Sequence, residues 1–388
     1  MKIGVAGPIQ TAPLVEFLDG VDLSTAPEGL GGISVTQLVK GLLRTNHLVS
    51  VYSLDESVTN LEIFRGKKLT VYYGRYRPRH RIWDFFKQER NSIRDSILAD
   101  NPDIVHAHWS YEFALGALAS GKPNLITVRD WAPTILRLKP DHYRFGRLLM
   151  AFATFIKGSH FIANSPYIQQ SLKKYLRKDV PVIPNALDET LFFDGERCLN
   201  TTTPTIISVN NGFGKRKNVN SLLRAYQLIK KEIPACRLIL VGSGFEKNGE
   251  ADKWAKNNYL SQDVEFAGLL QHAEVLKILE SADLLIHPAL EESFGMTLLE
   301  AMAKKTPLIG GEKSGAVPWV LNGGKAGILT DVKSPEHIAD EAMRILTDEQ
   351  VWKNISDSGY RYAWENFRLS KIVDRSLEEY ERILKEVQ

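Results

Sequence analysis

Cysteine is scarce: Cys198 and Cys236 are the only two in 388 residues. They form neither a CxxC pair nor a metal-ligand spacing, which points to a reducing compartment and away from a disulfide scaffold. Long apolar runs are missing as well. The longest, Leu148–Ile156, falls far short of the ~20 residues that a membrane-spanning helix needs. The opening MKIGVAG reads as a strand, without the basic start and apolar core of a signal peptide. Charge of one sign is not in excess, and a formal net charge of +3 is too small to argue for nucleic acid. There is no tandem repeat and no low-complexity tract. What is present is the composition of a soluble globular protein, 44% apolar and 24% charged, with cytoplasmic localisation the natural expectation. The length is comfortable for two domains, each with its own core.

Strand-like runs recur in the first half at Ile3–Ala6, Leu48–Tyr52, Asp103–Ala107, Leu125–Val128, Phe161–Ala163 and Val182–Pro184. Helical patterns such as Ser34–Arg44 and Ile82–Ala99 fill the gaps, so the spacing predicts a doubly wound α/β domain. A second such series follows at Ile206–Val209, Leu238–Val241, Val264–Phe266, Leu284–His287, Leu308–Gly310 and Gly327–Leu329. Between them, Asp194–Pro204 (DGERCLNTTTP) is polar and turn-rich and reads as the hinge.

The most informative stretch is Pro288–Gly310. An apolar strand, DLLIH, runs into a loop holding a glutamate pair and the turn Ser293-Phe294-Gly295. Apolar residues then recur at Met296, Leu299 and Met302, as on one face of a short helix, and Pro307 stops it. Ligands of parallel sheets gather at the carboxyl ends of such strands. Glu292 lies in the loop and Glu300 on the early helix, while the backbone N–H groups of Gly295–Leu298 would point outward, ready for an anion. Two acceptor-only carboxylates beside an anion site suit a ligand both phosphorylated and rich in hydroxyls, such as a nucleotide sugar. Taken singly, each glutamate is more simply a solvated surface residue.

Other candidates cluster at strand ends. Asn210–Asn218 (NNGFGKRKN) sits between a strand and a helix start, where Arg216 and Lys217 would meet a diphosphate. Cations near a helix N-terminus are unfavourable without an anion, which favours a ligand there. Gly31 and Gly32 precede the Ser34–Arg44 helix and would let backbone approach a phosphate. His106 and His108 close the Asp103–Ala107 strand, and a pair of hydrogen-bonded structural histidines is the plainer meaning, preferred for His106. Arg129 follows the next strand; arginine is no base at neutral pH, but it holds carboxylate or phosphate bidentately. Val241-Gly242-Ser243-Gly244 lacks the third glycine of a dinucleotide fingerprint, since position 247 is Lys247. The segment Arg65–Arg81 carries seven basic residues and no acidic one, interleaved or followed by Tyr72, Tyr73, Tyr76, Trp83, Phe85 and Phe86. Such a run is most often a solvated face. It also admits peripheral association with an anionic membrane, or a patch for a lipid-linked or anionic saccharide acceptor.

The run Glu292-Ser293-Phe294-Gly295-Met296-Thr297-Leu298-Leu299-Glu300-Ala301-Met302-Ala303 resembles the E-x7-E signature of GT-B glycosyltransferases, specifically the large retaining family 4. Lys217-Asn218-Val219 with Leu222, Leu223, Ala225 and Tyr226 resembles the family's K-G/N-V…L-L-x-A-F run. Pro184-Asn185-Ala186-Leu187-Asp188 with Phe192 resembles the stretch that ends its first domain. The resemblance covers nearly the whole chain and is densest over Ile206–Leu329. It implies an α/β fold of the GT-B class, two Rossmann-like doubly wound domains facing across a cleft. Residues 1–193 would form the acceptor-side domain, 194–204 the linker and 205–369 the nucleotide-sugar domain, with 370–388 a helix returning to the first.

The implied activity is transfer of a sugar from a UDP-sugar or GDP-sugar, with retention and without a metal, to a hydroxyl of a saccharide or lipid-linked acceptor. No cofactor and no nucleic-acid partner is implied, and no DxD-type or His/Cys cluster is evident. By the same resemblance Glu292 would bind a hydroxyl of the transferred sugar and Glu300 the ribose. Lys217, with Arg216, would neutralise the diphosphate, with Phe294, Gly295, Met296, Thr297 and Leu298 around the anion. Gly31 and Gly32 would close over the diphosphate, His108 would touch the sugar, and Gly268 and Leu270 would meet the base. The chain departs from the family at three places. Gly212 and Phe213 stand where an arginine is usual, and Trp319 replaces a glutamate. Arg129 stands where a histidine is common, fitting an anionic acceptor or a simple pair with Asp130. Rival functions are a sugar-nucleotide epimerase, a phosphorylase, or an inactive nucleotide-sugar-binding scaffold subunit.

Overall fold

The computed structural model describes residues 1–387. The chain divides into two compact units. The first runs from Met1 to Asp188 and takes in the C-terminal segment from Leu369, while the second spans Glu189–Arg368. Each is a doubly wound α/β unit on one largely parallel sheet, as the alternation of runs implies.

Seven strands form the first sheet: β1 (Lys2–Ala6), β2 (Leu48–Asp55), β3 (Glu62–Arg65), β4 (Leu69–Arg75), β5 (Ile104–His108), β6 (Asn124–Val128) and β7 (Phe161–Ala163). Their order is β3-β4-β2-β1-β5-β6-β7, and only β3 and β4 pair antiparallel. Strand β5 is buried throughout, as in a sheet covered on both faces. The order reverses between β1 and β5, which pair in register Val5 with His106. Such a switch point opens a crevice at the strands' carboxyl ends. The C-terminal helix Leu369–Val387 closes this unit against helix Ile33–Leu43. Contact is so close that a Cβ on Gly41 would lie 2.4 Å from Val373 and 2.9 Å from Leu369.

Two expectations for this unit need correction. The basic segment is not one exposed patch: it contributes β4, whose Leu69, Val71, Tyr72 and Tyr73 are buried, because hydrophobic residues fill both faces of a strand inside the sheet. Its Arg77 is neutralised by Asp84 (2.8 Å) and buried Glu89 (2.6 Å). Val182–Pro184 makes only a single bridge, Ala163 to Val182, since β7 ends at Ala163 and the chain turns at Ser165 to cap helix Pro166–Leu176.

The second sheet has six strands: β8 (Thr205–Val209), β9 (Arg237–Val241), β10 (Val264–Gly268), β11 (Leu284–His287), β12 (Leu308–Gly311) and β13 (Ile328–Thr330). They run parallel in the order β10-β9-β8-β11-β12-β13. Helices Val219–Glu232 and Pro335–Leu346 bury Leu222, Tyr226, Ile338 and Ile345 in one cluster with Ile206 and Leu284. The reversal of order falls between β8 and β11. Segment 194–204 lies within this unit rather than forming a free hinge. Arg197 donates to the carbonyls of Ala282 (2.6 Å) and Lys304 (3.0 Å), and Leu199 is buried in the core.

Candidate functional site

In the second unit the loops leaving β8 and β11 meet at the switch point. Arg216 accepts the Leu290 N–H at its carbonyl (2.8 Å). Asn218, in a left-handed conformation (φ 53°), donates from Nδ2 to the carbonyls of Pro288 (3.1 Å) and Val332 (2.7 Å). These bonds hold the two loops side by side. They bring Lys217 Nζ within 2.9 Å of Glu292 Oε2, with the two side chains only 12% and 15% exposed. Next to them Arg216 Nη1 lies 3.4 Å from Glu291 Oε2. A diphosphate arriving here would compete for cations that the glutamates now hold.

Electrostatics follow from burial and pairing. Burial alone would raise the Glu292 pKa, but the Lys217 ammonium outweighs it and holds the carboxyl below the ordinary range. Glu291 is pushed up, since burial there exceeds the help it receives from Arg216. His287, the last residue of β11, is 3% exposed, and burial pushes its pKa down. Its Nε2 lies 3.6 Å from Glu292 Oε2, too far for a hydrogen bond, so a buried neutral imidazole backs the carboxylate.

The Glu292 backbone is fixed by a segment remote in sequence. Its carbonyl accepts the Ala316 N–H (2.8 Å). Gly315 (φ 64°) passes so close that a Cβ there would be 2.3 Å from the Glu292 oxygen. Gly295 (φ 91°) turns the chain into helix Met296–Ala303. Contrary to expectation, the Leu298 N–H is not free for an anion, since it turns back to the Gly295 carbonyl (3.1 Å). That leaves the N–H groups of Met296 and Thr297 as those without intrahelical acceptors. Met296 and Thr297 are half-buried at that start, but the side chains of Phe294 and Leu298 are buried. Phe294 makes edge contacts with Trp319 (6.2 Å between centroids) and Phe367 (5.8 Å). It can therefore serve a ligand only through its backbone, and Trp319 is a packing residue. Phe213 likewise packs against Phe245 and Trp254 and supplies no charge.

Glu300 is 4% exposed, and its Oε1 is hydrogen-bonded by His272 Nε2 at 2.8 Å. Burial lowers the His272 pKa, yet the Glu300 bond and charge outweigh burial and leave it raised. Nothing local in the sequence marks His272, which is brought to Glu300 by tertiary folding. Gly268 gives its N–H to Phe245 (2.9 Å) and accepts that of Gly242 (2.7 Å). Its backbone is thus committed to the fold, leaving half-buried Leu270 as the candidate beside it.

In the first unit the loops after β1 and β5 hold the second group. Gly32 (φ 84°) caps helix Ile33–Leu43, and a Cβ on it would lie 2.2 Å from the Pro8 carbonyl, whereas one on Gly31 would meet open space. His106 bonds Tyr380 OH through Nδ1 and Thr127 Oγ1 through Nε2, each at 2.6 Å, a satisfied structural histidine. His108 is fully buried and its Nε2 has no protein partner. Arg129 does not rely on Asp130: its guanidinium bonds His108, Ser34 and Asn185, while Asp130 accepts from Tyr111 OH (2.7 Å). Among the described residues no group of three or more His, Cys, Asp or Glu could hold a metal ion, and no helix is long and apolar enough to cross a membrane.

Comparison with known proteins agrees with this geometry. Residues 193–362 match the family model for glycosyl transferases group 1, and residues 31–191 match that for glycosyltransferase family 4. The N-acetyl-alpha-D-glucosaminyl L-malate synthase of Bacillus anthracis is 28% identical over 292 residues, covering 71% of this chain and 74% of that protein. The phosphatidyl-myo-inositol mannosyltransferase of Mycolicibacterium smegmatis is 26% identical over 349 residues, 86% and 87% of the two chains. Among solved structures, sucrose-phosphate synthase from Thermosynechococcus elongatus superposes with a TM-score of 0.79 at 18% identity, over 100% of both chains. Anabaena HepE in complex with UDP-glucose gives 0.69 at 16% identity, over 98% of this chain and 100% of that one. The two family matches adjoin along the chain and cover both units, so the protein belongs to the group 1 glycosyltransferases and is a transferase of the GT-B fold.

Proposed function

We propose that the protein transfers a sugar, with retention of configuration and without a metal, from a nucleoside-diphosphate sugar to a hydroxyl of a saccharide or lipid-linked acceptor. The observation that carries this reading is the Lys217–Glu292 pair at the β8/β11 switch point, beside the start of helix Met296–Ala303. A diphosphate needs fixed cations and helix N–H groups, and a sugar needs buried acceptors. Both are within reach of one another here. Lys217 and Arg216 take the diphosphate, freeing Glu292 for a sugar hydroxyl, and Glu300 takes the ribose. HepE binds UDP-glucose, which supports a UDP-sugar as the first donor to test, with GDP-sugars as the second.

In the proposed step the C1–O bond to the diphosphate breaks and the acceptor oxygen bonds C1 on the same face. The acceptor proton passes to the leaving phosphate oxygen, so no enzymatic nucleophile is required. Preorganised charge at Lys217 supplies the stabilisation. Thermal-shift titration with UDP- and GDP-sugars, then donor hydrolysis in EDTA, tests the reading. Stabilisation that grows with ligand concentration and turnover that survives EDTA are expected. No shift with any carrier would refute it, and turnover abolished by EDTA would remove metal independence.

A lipid-linked acceptor has its own support on the first unit. Phe145, Leu149 and Ile156 lie at four- and seven-residue spacing on helix His142–Lys157, and all are exposed, Ile156 by 77%. Ile82 packs against Gly146 of that helix, which sets Trp83, 76% exposed, beside the stripe. Exposed Lys157 follows Ile156 at the end of the same helix. An exposed apolar stripe ending in a lysine suits peripheral contact with an anionic bilayer.

A further inference from the structure

The first unit contains a buried cation whose partners are all neutral. Arg129 is 8% exposed. It donates to His108 Nδ1 from Nε (3.3 Å) and Nη2 (2.9 Å), and from Nη1 to Ser34 Oγ (3.0 Å) and Asn185 Oδ1. The Trp109 ring lies 5.4 Å from its Cζ. A buried guanidinium is costly unless it has a task. One task would be to clamp an anionic substrate. Yet the cavity lined by Arg129, Ser34, Asn185, His106 and Thr127 has a volume of about 20 Å³, room for a single water and not for a carboxylate or phosphate. The fork is also largely used up, with Nε, Nη1 and Nη2 all engaged.

The remaining task concerns His108. A guanidinium has donors and no acceptor, so the ring atom facing it must carry a lone pair. That places the proton of a neutral imidazole on Nε2. Both ends of the ring are then explained: Nδ1 is saturated by Arg129, and Nε2–H is buried without a partner, against Gly7, whose Cβ would touch His108 Cδ2 at 3.3 Å. The His106 ring packs against it at a tilt of 35°, with ring centroids 4.2 Å apart, and restricts its rotation. Burial, with His106 and Arg129 nearby, holds the His108 pKa far below its ordinary value, so the ring stays neutral.

We propose that Arg129 is a positioning residue that locks His108 in the Nε2–H tautomer, making it a permanent hydrogen-bond donor to a substrate oxygen and never a general base. Nε2–H is covered in the free protein, so the oxygen, a sugar hydroxyl or a phosphate oxygen, reaches it only when the backbone at Gly7 gives way, and this part rests on the function proposed above. The tautomer does not depend on that reading, so the two can fail separately.

The test is long-range 1H–15N correlation on the full chain labelled at its nine histidines, with His108→Asn identifying the signal. The wild type is expected to show Nε2–H at His108, unchanged from pH 6 to 8. Arg129→Met should release the ring to a mixture of tautomers and lower kcat on the order of tenfold, less than the ~10²-fold cost of deleting a preorganised donor. Arg129→Lys keeps one donor and should restore both the tautomer and most of kcat. A wild-type ring protonated at Nδ1 overturns the proposal, whether or not the variants fold. So does an Arg129→Met ring that stays wholly Nε2–H. If the tautomer behaves as expected but no nucleotide sugar is turned over, the lock stands and the function fails.

Discussion

Replacing Lys217 by Met should invert the pH dependence that the Glu292 site gives to stability. At 2.9 Å and an effective dielectric of ~20, the attraction between the two charges is about 6 kcal/mol. Desolvation of two nearly buried ions offsets most of it. Removing the lysine alone leaves the desolvation cost of Glu292 unopposed, a loss of about 3–5 kcal/mol at pH 7. In the wild type Glu292 titrates below its ordinary 4.5 and His287 below its ordinary 6.5. The unfolded chain therefore binds more protons at each site, and stability present at neutral pH is lost as pH falls, from 6.5 downward for His287 and from 4.5 for Glu292. In Lys217→Met, burial raises Glu292 and its unscreened charge raises His287, so folding takes up a proton. Stability should then rise as pH falls from 8 towards 5. Urea midpoints followed by tryptophan fluorescence across that range measure both slopes. Lys217→Met/Glu292→Gln should regain most of the stability at pH 7 yet stay ~10²–10³-fold slow in transfer. A single variant that loses under about 1 kcal/mol at pH 7, or that acidifies in parallel with the wild type, would refute the buried-pair argument.

Three further perturbations are expected to give clear results. His272→Asn removes a charge-assisted bond whose folded pKa is raised, so its cost of about 1–2 kcal/mol should be full below pH 6.5 and fade as pH rises through the folded value; a cost independent of pH in thermal melts would contradict this. Gly315→Ala forces a left-handed non-glycine residue against the Glu292 carbonyl and should cost on the order of 2 kcal/mol, with the turnover assay showing a loss even in molecules that remain folded at low temperature. Trp83→Ser/Ile156→Ser changes exposed side chains, leaves the melting midpoint alone, and should weaken sedimentation with phosphatidylserine vesicles on the order of tenfold or more. Equal sedimentation of variant and wild type would remove the membrane contact.

What the sequence disclosed, and what it hid, divides along the range of the interactions. The doubly wound pattern and the loop after DLLIH were legible, because strand, turn and helix start are local; that Lys217 closes on Glu292 was not, because that pair joins loops 75 residues apart. The hairpin of β3 and β4 was not, because arginines and lysines flank Tyr72 and Tyr73, and charge masked a strand buried on both faces. The hinge was misplaced for a related reason: a polar composition at 194–204 says nothing of Arg197 finding the carbonyls of Ala282 and Lys304.

Histidines show the limit most sharply. His106 and His108 stand two apart on one strand and look alike in sequence. Yet one is satisfied by Tyr380 and Thr127, while the other is poised between Arg129 and an unfilled Nε2. Chemistry at His108, His272 and His287 is set by partners from separate elements of the fold: Arg129 after β6, Glu300 on helix Met296–Ala303, and Glu292 beyond β11 together with Lys217. A motif fixes where a side chain enters the site, and the partner that folding supplies fixes which proton it carries.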